Sequence, residues 1–330
     1  MSLIKECVTT LTKYKEVKIF MIPNIEGAKN NLASRDREFP INVVVEPIAH
    51  CNFQCVMCPS SNLKRPRGEM DFSVYKKIVD EMATEVSAPH LWLAFIGEPL
   101  LLGDKLINMI RYAKEQGVAN VHLSTNASLM DPQIGQKLIE SGLDEIIVSV
   151  DGFSKGTYEQ IQVGGNFGQV VKNLEWFLAA KRDKELTKPR MIVQFVVMDE
   201  NEHELEEFKR FWLDKGAIVK IRPKMGWGSA FKAEYFNLTD SEREFPCPWL
   251  LRGMGIHWDG RMAQCDSDYE TIYSPGDVRI QTIKEVWNGE LAKRRERHWN
   301  GDFTFEPCKS CKDWQAGLSE FYNPEDKRKV

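Results

Sequence analysis

The stretch AHCNFQCVMCPSS, residues 49–61, places three cysteines within eight positions, directly after the apolar run 41–47. Three residues separate Cys51 from Cys55, and two separate Cys55 from Cys58. A loop of this composition at the end of a strand can direct three thiols towards one point. Residues 49–61 are called the cysteine loop below.

Three kinds of site are compatible with this spacing. Three thiolates can bind three irons of a [4Fe–4S] cubane and leave the fourth iron open to a small molecule. A structural zinc ion needs four nitrogen or sulfur ligands, and His50, the available fourth, is awkwardly placed beside Cys51. Three unrelated core cysteines are the remaining alternative. The spacing favours the iron–sulfur site.

The bulk properties exclude several classes of protein. The chain has 330 residues, enough for one large or two medium domains, and a formal net charge of −4. Lys and Arg are scattered, so neither a nucleic acid nor a membrane is expected as a partner. No apolar run approaches the roughly 20 residues that span a bilayer, and the polar start does not resemble a signal peptide. We therefore expect a cytoplasmic protein whose eight cysteines are metal ligands or catalytic thiols rather than disulfides.

Short apolar runs alternate with amphipathic segments through the first two thirds of the chain. Six strands are predicted, at 41–47, 90–96, 120–125, 145–150, 191–198 and 218–222. The intervening segments carry apolar residues one helical turn apart, and glycine at 117, 142 and 216 follows three of them. This alternation predicts a parallel α/β sheet, either an incomplete barrel or an open doubly wound sheet.

The character of the sequence changes after residue 225. Residues 225–282 are rich in Gly, Pro, Asp and aromatic residues and show no clear period, and one helix is predicted at about 282–298. We predict three segments: a helical lead-in at 1–40, a β/α core at 41–225 and a smaller module at 226–330.

The cysteine loop and three later motifs together resemble the radical S-adenosylmethionine (SAM) superfamily. Members carry Cys-x3-Cys-x2-Cys after the first strand of a repeated β/α domain. IGEP at 96–99 resembles the family's Gly-Gly-Glu-Pro motif, with isoleucine for the first glycine, and STNAS at 124–128 resembles Ser-x-Asn-Gly, with alanine for glycine. SVDG at 149–152 follows the fourth strand, and Met57 stands where the family usually has an aromatic residue.

This resemblance implies a fold and a chemistry. The fold is α/β, a partial (β/α)6 TIM-type barrel with a small C-terminal iron–sulfur module. In such enzymes the open iron of the [4Fe–4S] cluster chelates SAM, and an electron from the cluster breaks the sulfonium S–C5′ bond. The 5′-deoxyadenosyl radical then abstracts hydrogen from the substrate.

The resemblance also assigns residues to SAM. Gly97 and Glu98 would lie by its amino group, whereas Ser124, Asn126 and Ser149 would contact its carboxylate and ribose hydroxyls. From the residues alone, Ser124 and Asn126 could instead cap the following helix.

Four more cysteines form a second set, called the rear cysteines: Cys247, Cys265, Cys308 and Cys311. Four thiols suffice for zinc or for a fully ligated cubane, and composition alone favours zinc. Their order resembles the auxiliary-cluster module called SPASM, or its shorter twitch form, and the resemblance implies one auxiliary [4Fe–4S] cluster instead. With four ligands no iron is open, which favours electron transfer. Cys7 is left over and is interpreted as structural.

The layout is similar to the twitch-domain aminocyclitol dehydrogenase and to related antibiotic-pathway enzymes that modify sugars. It implies an oxidoreductase that acts on a sugar, nucleotide sugar or aminocyclitol and takes electrons from an external donor such as flavodoxin or ferredoxin. Decarboxylation or epimerisation of a sugar, peptide maturation, and a non-catalytic protein with rear zinc remain as alternatives. Peptide maturases usually carry a recognition domain ahead of the barrel, for which about 40 residues are short.

Oxidation at a carbon that bears a hydroxyl needs a base. The catalytic candidates are Arg222, Lys224, His257 and Asp151. Arg222 and Lys224 alternate about Pro223, so both are expected to point inward, although a solvated strand end is the alternative. Because a guanidinium stays protonated, Arg222 is preferred as a substrate anchor.

Overall fold

The fold was analysed in a computed structural model, which describes residues 37–228, 230–231, 246–315 and 319–324. Cys7 and almost all of the predicted lead-in lie outside these residues. The strands are β1 Asn42–Val45, β2 His90–Leu93, β3 Asn120–Thr125, β4 Glu145–Ser149, β5 Arg190–Val197, β6 Ile218–Pro223, β7 Gly253–Ile256, β8 Met262–Ala263 and β9 Glu320–Tyr322. The α-helices are α1 Phe72–Ala83, α2 Asp104–Glu115, α3 Pro132–Glu140, α4 Lys155–Ile161, α5 Phe167–Asp183, α6 Leu205–Asp214, α7 Pro248–Arg252, α8 Ile283–Asn288 and α9 Glu290–Trp299.

The order of the strands decides between the two predicted architectures. Strands β1 to β6 lie side by side in chain order, and each is parallel to the next. Crossovers between parallel strands are right-handed, so an order without reversal puts the connecting helices on one face. A doubly wound sheet would reverse its order at a switch point. The chain therefore forms a partial (β/α)6 barrel, and the other face of its sheet is concave.

The C-terminal region extends this sheet at both edges. Strand β7 is parallel to β1, with Asn42 beside Gly253, and β8 pairs antiparallel to β7. At the opposite edge, β9 pairs antiparallel to β6. The module predicted at 226–330 is thus continuous with the barrel sheet among the described residues.

The six predicted strands are confirmed at their predicted places along the chain. Their apolar runs are continuous because both faces are covered, and β5 is buried from Met191 to Val197. Strand β2 ends at Leu93, earlier than predicted, and the chain then bends through Phe95, whose φ is 138°. The three glycines predicted after helices have the expected left-handed φ.

The single helix predicted at about 282–298 is wrong. The chain forms α8 and α9 there, and the break falls at Gly289, which has a non-helical backbone. A Cβ at this position would lie 2.7 Å from the carbonyl oxygen of Glu285. The sequence pattern also missed α4, a helix of seven residues ahead of α5.

The described helices were also compared with the thickness of a bilayer. None of them combines the length and the apolar character that a membrane crossing requires.

Candidate active site

A cavity of about 620 Å³ lies on the concave face of the sheet, at the C-terminal ends of the strands. All three cysteines of the cysteine loop border it, and so does Cys265 of the rear cysteines. The five residues predicted to contact SAM line it too. They are Gly97, Glu98, Ser124, Asn126 and Ser149. It is called the barrel cavity below, and ligands of parallel α/β folds bind at this edge.

Backbone hydrogen bonds hold the cysteine loop in place. Gln54 N donates to the carbonyl of Val163 at 2.8 Å, and Val56 N donates to that of Ile161 at 3.0 Å, so the loop is fixed to the end of α4. Burial, with a smaller contribution from Cys51, raises the pKa of Cys58 to about 11, against the opposing effects of the Ser60 N–H and of Arg222. Such a thiol ionises when a metal replaces its proton, as ligation requires.

Gly97 is required by the close approach of two backbones. A Cβ at Gly97 would lie 1.9 Å from the carbonyl oxygen of Ile48 and 2.8 Å from that of His50. The next residue, Glu98, donates its N–H to the same His50 carbonyl at 2.8 Å. The glycine therefore allows the loop after β2 to pack against the cysteine loop, a reason distinct from the contact with SAM that the motif implied.

The Glu98 carboxylate ties the loop after β2 to the loop after β3. One of its oxygens accepts hydrogen bonds from Thr125 Oγ1 at 2.7 Å and Leu100 N at 2.9 Å. The other accepts from Asn126 N at 2.7 Å. Burial raises the pKa of Glu98 despite these three donors. The residue borders the cavity with its charge already partly compensated.

Neither Ser124 nor Asn126 caps a helix, so that alternative is wrong. Asp131 is the N-cap of α3, and its side chain accepts from Ile134 N. Asn126 instead donates from Nδ2 to Asn52 Oδ1 at 3.0 Å, which joins the third loop to the cysteine loop.

Part of the cavity wall is charged. Asp151 is 0% exposed, and its Oδ1 accepts from Val196 N at 2.7 Å. Burial raises the pKa of Asp151 to about 7, against the opposing effects of that N–H and of Arg222. Arg222 lies on β6 and lines the cavity, as the sequence predicted.

Two of the four catalytic candidates do not line the barrel cavity. Lys224 falls after β6, which ends at Pro223, so the alternation that places Arg222 inward does not continue to it. His257 is 1% exposed in the core, with Nδ1 3.4 Å from Glu46 and its ring against Phe95. These contacts are those of a structural histidine in the core.

Sequence reasoning missed two charged residues of the same wall. Lys220 precedes Arg222 by two positions on β6, and Asp266 follows Cys265 directly; both line the cavity. The alternation used for Arg222 also predicts Lys220 when it is read towards the start of the strand. Nothing in the sequence placed Asp266 near β6.

The four rear cysteines, which are far apart in the sequence, lie close together in the structure. All four border one small cavity together with Gln264 and Trp314. Burial raises the pKa of Cys265 well above its ordinary value, and the neighbouring thiols of Cys311, Cys247 and Cys308 raise it further. Gln264 Nε2 also donates to Cys308 Sγ at 3.2 Å.

Three thiols at the cysteine loop and four at the rear set are donor sets that suit iron–sulfur clusters. Within the described ranges, no three His, Cys, Asp or Glu side chains are placed to hold one metal ion. In a cubane each thiolate binds a different iron, so the thiols surround a group larger than one ion. His50 is exposed and does not line the cavity, which leaves zinc at the cysteine loop without its fourth ligand.

A polar link connects the two cysteine sets. The Asp313 carboxylate accepts from Gly226 N at 2.5 Å and Gly228 N at 2.8 Å, and it follows Cys311 by two residues. Between those glycines, Trp227 has a φ of 50° and donates from Nε1 to the carbonyl of Met57 at 2.9 Å. Residues 226–228 are therefore bound both to Asp313, which lies beside the rear cysteines, and to the cysteine loop.

Two family profiles match this chain. The profile described as the radical SAM superfamily matches residues 45–211, half of the chain. The profile described as an iron–sulfur cluster-binding domain (SPASM) matches residues 247–312. Each match includes one of the two cysteine sets.

Curated relatives are similar over part or most of the chain. A tungsten-containing aldehyde ferredoxin oxidoreductase cofactor-modifying protein of Pyrococcus furiosus is 23% identical over 292 residues, 74% of this chain and 80% of its own. A probable GTP 3′,8-cyclase of Methanococcus maripaludis is 30% identical over 195 residues, and the match spans 59% of this chain and 62% of that relative. The mycofactocin maturase MftC of Mycolicibacterium smegmatis is 28% identical over 66% of this chain and 53% of its own.

Solved structures share the fold. BtrN in complex with AdoMet and 2-DOIA superposes with a TM-score of 0.57 at 19% identity, over 82% of this chain and 92% of BtrN. SuiB of Streptococcus suis, bound to the precursor peptide SuiA, gives a TM-score of 0.64 at 13% identity, over 88% of this chain and 73% of SuiB.

Proposed function

We propose that this protein, which belongs to the radical SAM superfamily, oxidises a small polar metabolite of the sugar, nucleotide-sugar or aminocyclitol class. The radical SAM domain binds SAM and a [4Fe–4S] cluster, and the SPASM domain binds auxiliary iron–sulfur clusters. When bound, the first cluster supplies the electron that cleaves SAM to the 5′-deoxyadenosyl radical. Cys51, Cys55 and Cys58 would hold that cluster, and the rear cysteines would hold one auxiliary cluster.

The observation that carries the proposal is that both cysteine sets reach one cavity. Cys265 borders the same cavity as the three thiols of the cysteine loop. A substrate held between them would lie near SAM on one side and near the auxiliary cluster on the other. This arrangement suits the removal of a hydrogen atom on one side and of an electron on the other.

The size of the cavity supports a small substrate. Pockets for single drug-sized ligands measure about 300–1,000 Å³, and the barrel cavity measures about 620 Å³. SAM is itself a drug-sized ligand and would fill part of this volume. The space that remains suits a small metabolite better than a peptide segment. Carboxylates, cations and aromatic rings share the lining, a composition that can bind hydroxyl groups and sugar rings.

The share of each related structure that this chain matches also supports a small substrate. This chain matches 92% of BtrN, which binds 2-DOIA, but only 73% of peptide-bound SuiB. Peptide maturation is the second candidate function, favoured by the similarity to the maturase MftC. Decarboxylation or epimerisation of a sugar would use the same cavity without a net transfer of electrons to the rear cysteines.

The experiment supplies anaerobically reconstituted protein with SAM, a reductant such as flavodoxin or ferredoxin, and two substrate pools. One pool holds sugars, nucleotide sugars and aminocyclitols, and the other holds peptides. We expect 5′-deoxyadenosine above background with the first pool and a product that has lost two hydrogens. A burst of 5′-deoxyadenosine with peptides alone would replace the proposal by peptide maturation. A product of unchanged mass would replace it by epimerisation, and a product that has lost CO₂ would replace it by decarboxylation.

A further inference from the structure

Lys220 is a charged residue of the cavity wall to which the proposed function gives no role. It lies on the inward face of β6 and lines the barrel cavity. Its side chain is half-buried, so part of it remains accessible from the cavity. Within the part of the chain that the structure describes, its ammonium group makes no hydrogen bond and no ion pair, and it lies 5.7 Å from the ring centroid of Phe321.

Charged groups from three directions face Lys220. Burial lowers the pKa of Lys220 to about 8, and Arg222 on the same strand acts in the same direction. Glu145 on β4 and Asp266 after β8 oppose this change. An ordinary lysine has a pKa of about 10.4. A lysine shifted in this way is partly neutral near pH 8 and can then accept a proton.

The other polar residues of the wall are less suited to proton transfer. Arg222 remains protonated and can only donate hydrogen bonds. Asp151 also lines the cavity, but its side chain is 0% exposed and one carboxylate oxygen already accepts from Val196 N, so the half-buried Lys220 is the more accessible of the two. Asp266 serves as a counter-charge to both cations of β6.

We propose that Lys220 accepts the proton in the oxidation, an inference that rests on the proposed function. A secondary alcohol would lose one hydrogen atom from carbon to the 5′-deoxyadenosyl radical, one proton from oxygen to Nζ of Lys220 and one electron to the auxiliary cluster. It would thereby become a ketone. Arg222, two residues along the strand, would hold the substrate beside Lys220.

The first test does not depend on turnover. Competitive labelling of amines at a series of pH values, read for each lysine by mass spectrometry, measures the protonation of Lys220 in the reconstituted enzyme. We expect half-maximal reactivity near pH 8, against about 10.4 for ordinary surface lysines. A value for Lys220 equal to that of the surface lysines overturns the proposal.

The second test uses Lys220→Met, Lys220→Arg and the control Lys172→Met, which changes an exposed lysine of α5. Loss of a general base lowers rates by about 10²–10⁴-fold, so we expect at least 10²-fold less oxidised product from both Lys220 variants. SAM cleavage in the presence of substrate should persist. In the wild type, kcat/KM should rise with pH and level off above about 8, and this limb should disappear in Lys220→Met.

The outcomes separate the two proposals. If the wild type and Lys220→Met form equal amounts of oxidised product, the role of Lys220 is refuted but the proposed function is not. No oxidised product from the wild type refutes the proposed function and, with it, this role. Full activity of Lys220→Arg would also overturn the inference, because arginine keeps the charge but cannot accept a proton.

Discussion

Replacing Gly97 by alanine tests how the cysteine loop is positioned. The new Cβ would lie 1.9 Å from the carbonyl oxygen of Ile48, whereas real Cβ atoms essentially never come closer than 3.0 Å. The two backbones would have to separate by about 1 Å, and neither is a flexible side chain. Overpacking of a core costs about 1–3 kcal/mol and occasionally more, and we expect the upper end here, about 3 kcal/mol.

The assay is urea unfolding of the anaerobic holoprotein, with SAM affinity measured in parallel. At a urea dependence of about 2–3 kcal/mol per molar, a loss of about 3 kcal/mol lowers the midpoint by about 1 M. SAM binding should weaken as well, because Glu98 follows directly and donates to the cysteine loop. The matched control is Gly156→Ala in α4, where a Cβ meets nothing within 4 Å. That change should be neutral or stabilise by about 0.5–1 kcal/mol.

An unchanged midpoint in Gly97→Ala would refute the reasoning, since it would show that the loops separate without cost. A lower midpoint with normal SAM affinity would refute only the link between this contact and the site. Equal losses in Gly97→Ala and Gly156→Ala would point to a general effect of the substitution.

Three further predictions concern the cysteines and a buried ion pair. Alanine at all three positions of the cysteine loop should reduce 5′-deoxyadenosine to background, and normal cleavage by that variant would contradict the proposed site. Cys308→Ala with Cys311→Ala should lower iron from about eight to about four per chain and abolish oxidised product while SAM cleavage persists; product at the original rate would refute the electron-transfer role. Arg65→Met removes the partner 2.6 Å from buried Glu46, at a cost of about 3–5 kcal/mol near pH 7. Burial raises the pKa of Glu46, but His257 and Arg65 outweigh it and leave the pKa lowered, so this stability is lost as pH falls through the folded value. The penalty of Arg65→Met should therefore shrink on acidification, as urea midpoints would show, and a penalty independent of pH would count against the ion pair as its source.

The strands were predictable because burial on both faces leaves a local signature, a continuous apolar run. The order of the strands was not, since no local pattern records which strands become neighbours. The family resemblance supplied the barrel, and the sequential pairing of β1 to β6 confirms it. The break at Gly289 was missed because helical spacing of apolar residues continues on both sides of it, while the backbone at the glycine leaves the helix.

For the residues of the cavity too, local patterns predicted some positions and not others. Alternation along a strand predicted that Arg222 points inward, and it fails at Lys224 because the strand ends at Pro223. The same rule would have found Lys220. Asp266 could not be predicted, because its place in the wall depends on a loop that returns to β6 from the far edge of the sheet.

The C-terminal module and the barrel cavity therefore depend on each other. Strand β7 is fixed to β1, and β9 to β6, so the module is attached at both edges of the arc that it closes. Asp313, next to the rear cysteines, holds the loop whose Trp227 reaches the cysteine loop. If loss of the rear cysteines displaced Asp313, residues 226–228 would lose these hydrogen bonds, and Trp227, which lines the cavity, could shift. For this reason the Cys308 and Cys311 variant has to be judged by SAM cleavage first: retained cleavage shows that the cysteine loop has kept its place, and only then does the lost product measure electron transfer.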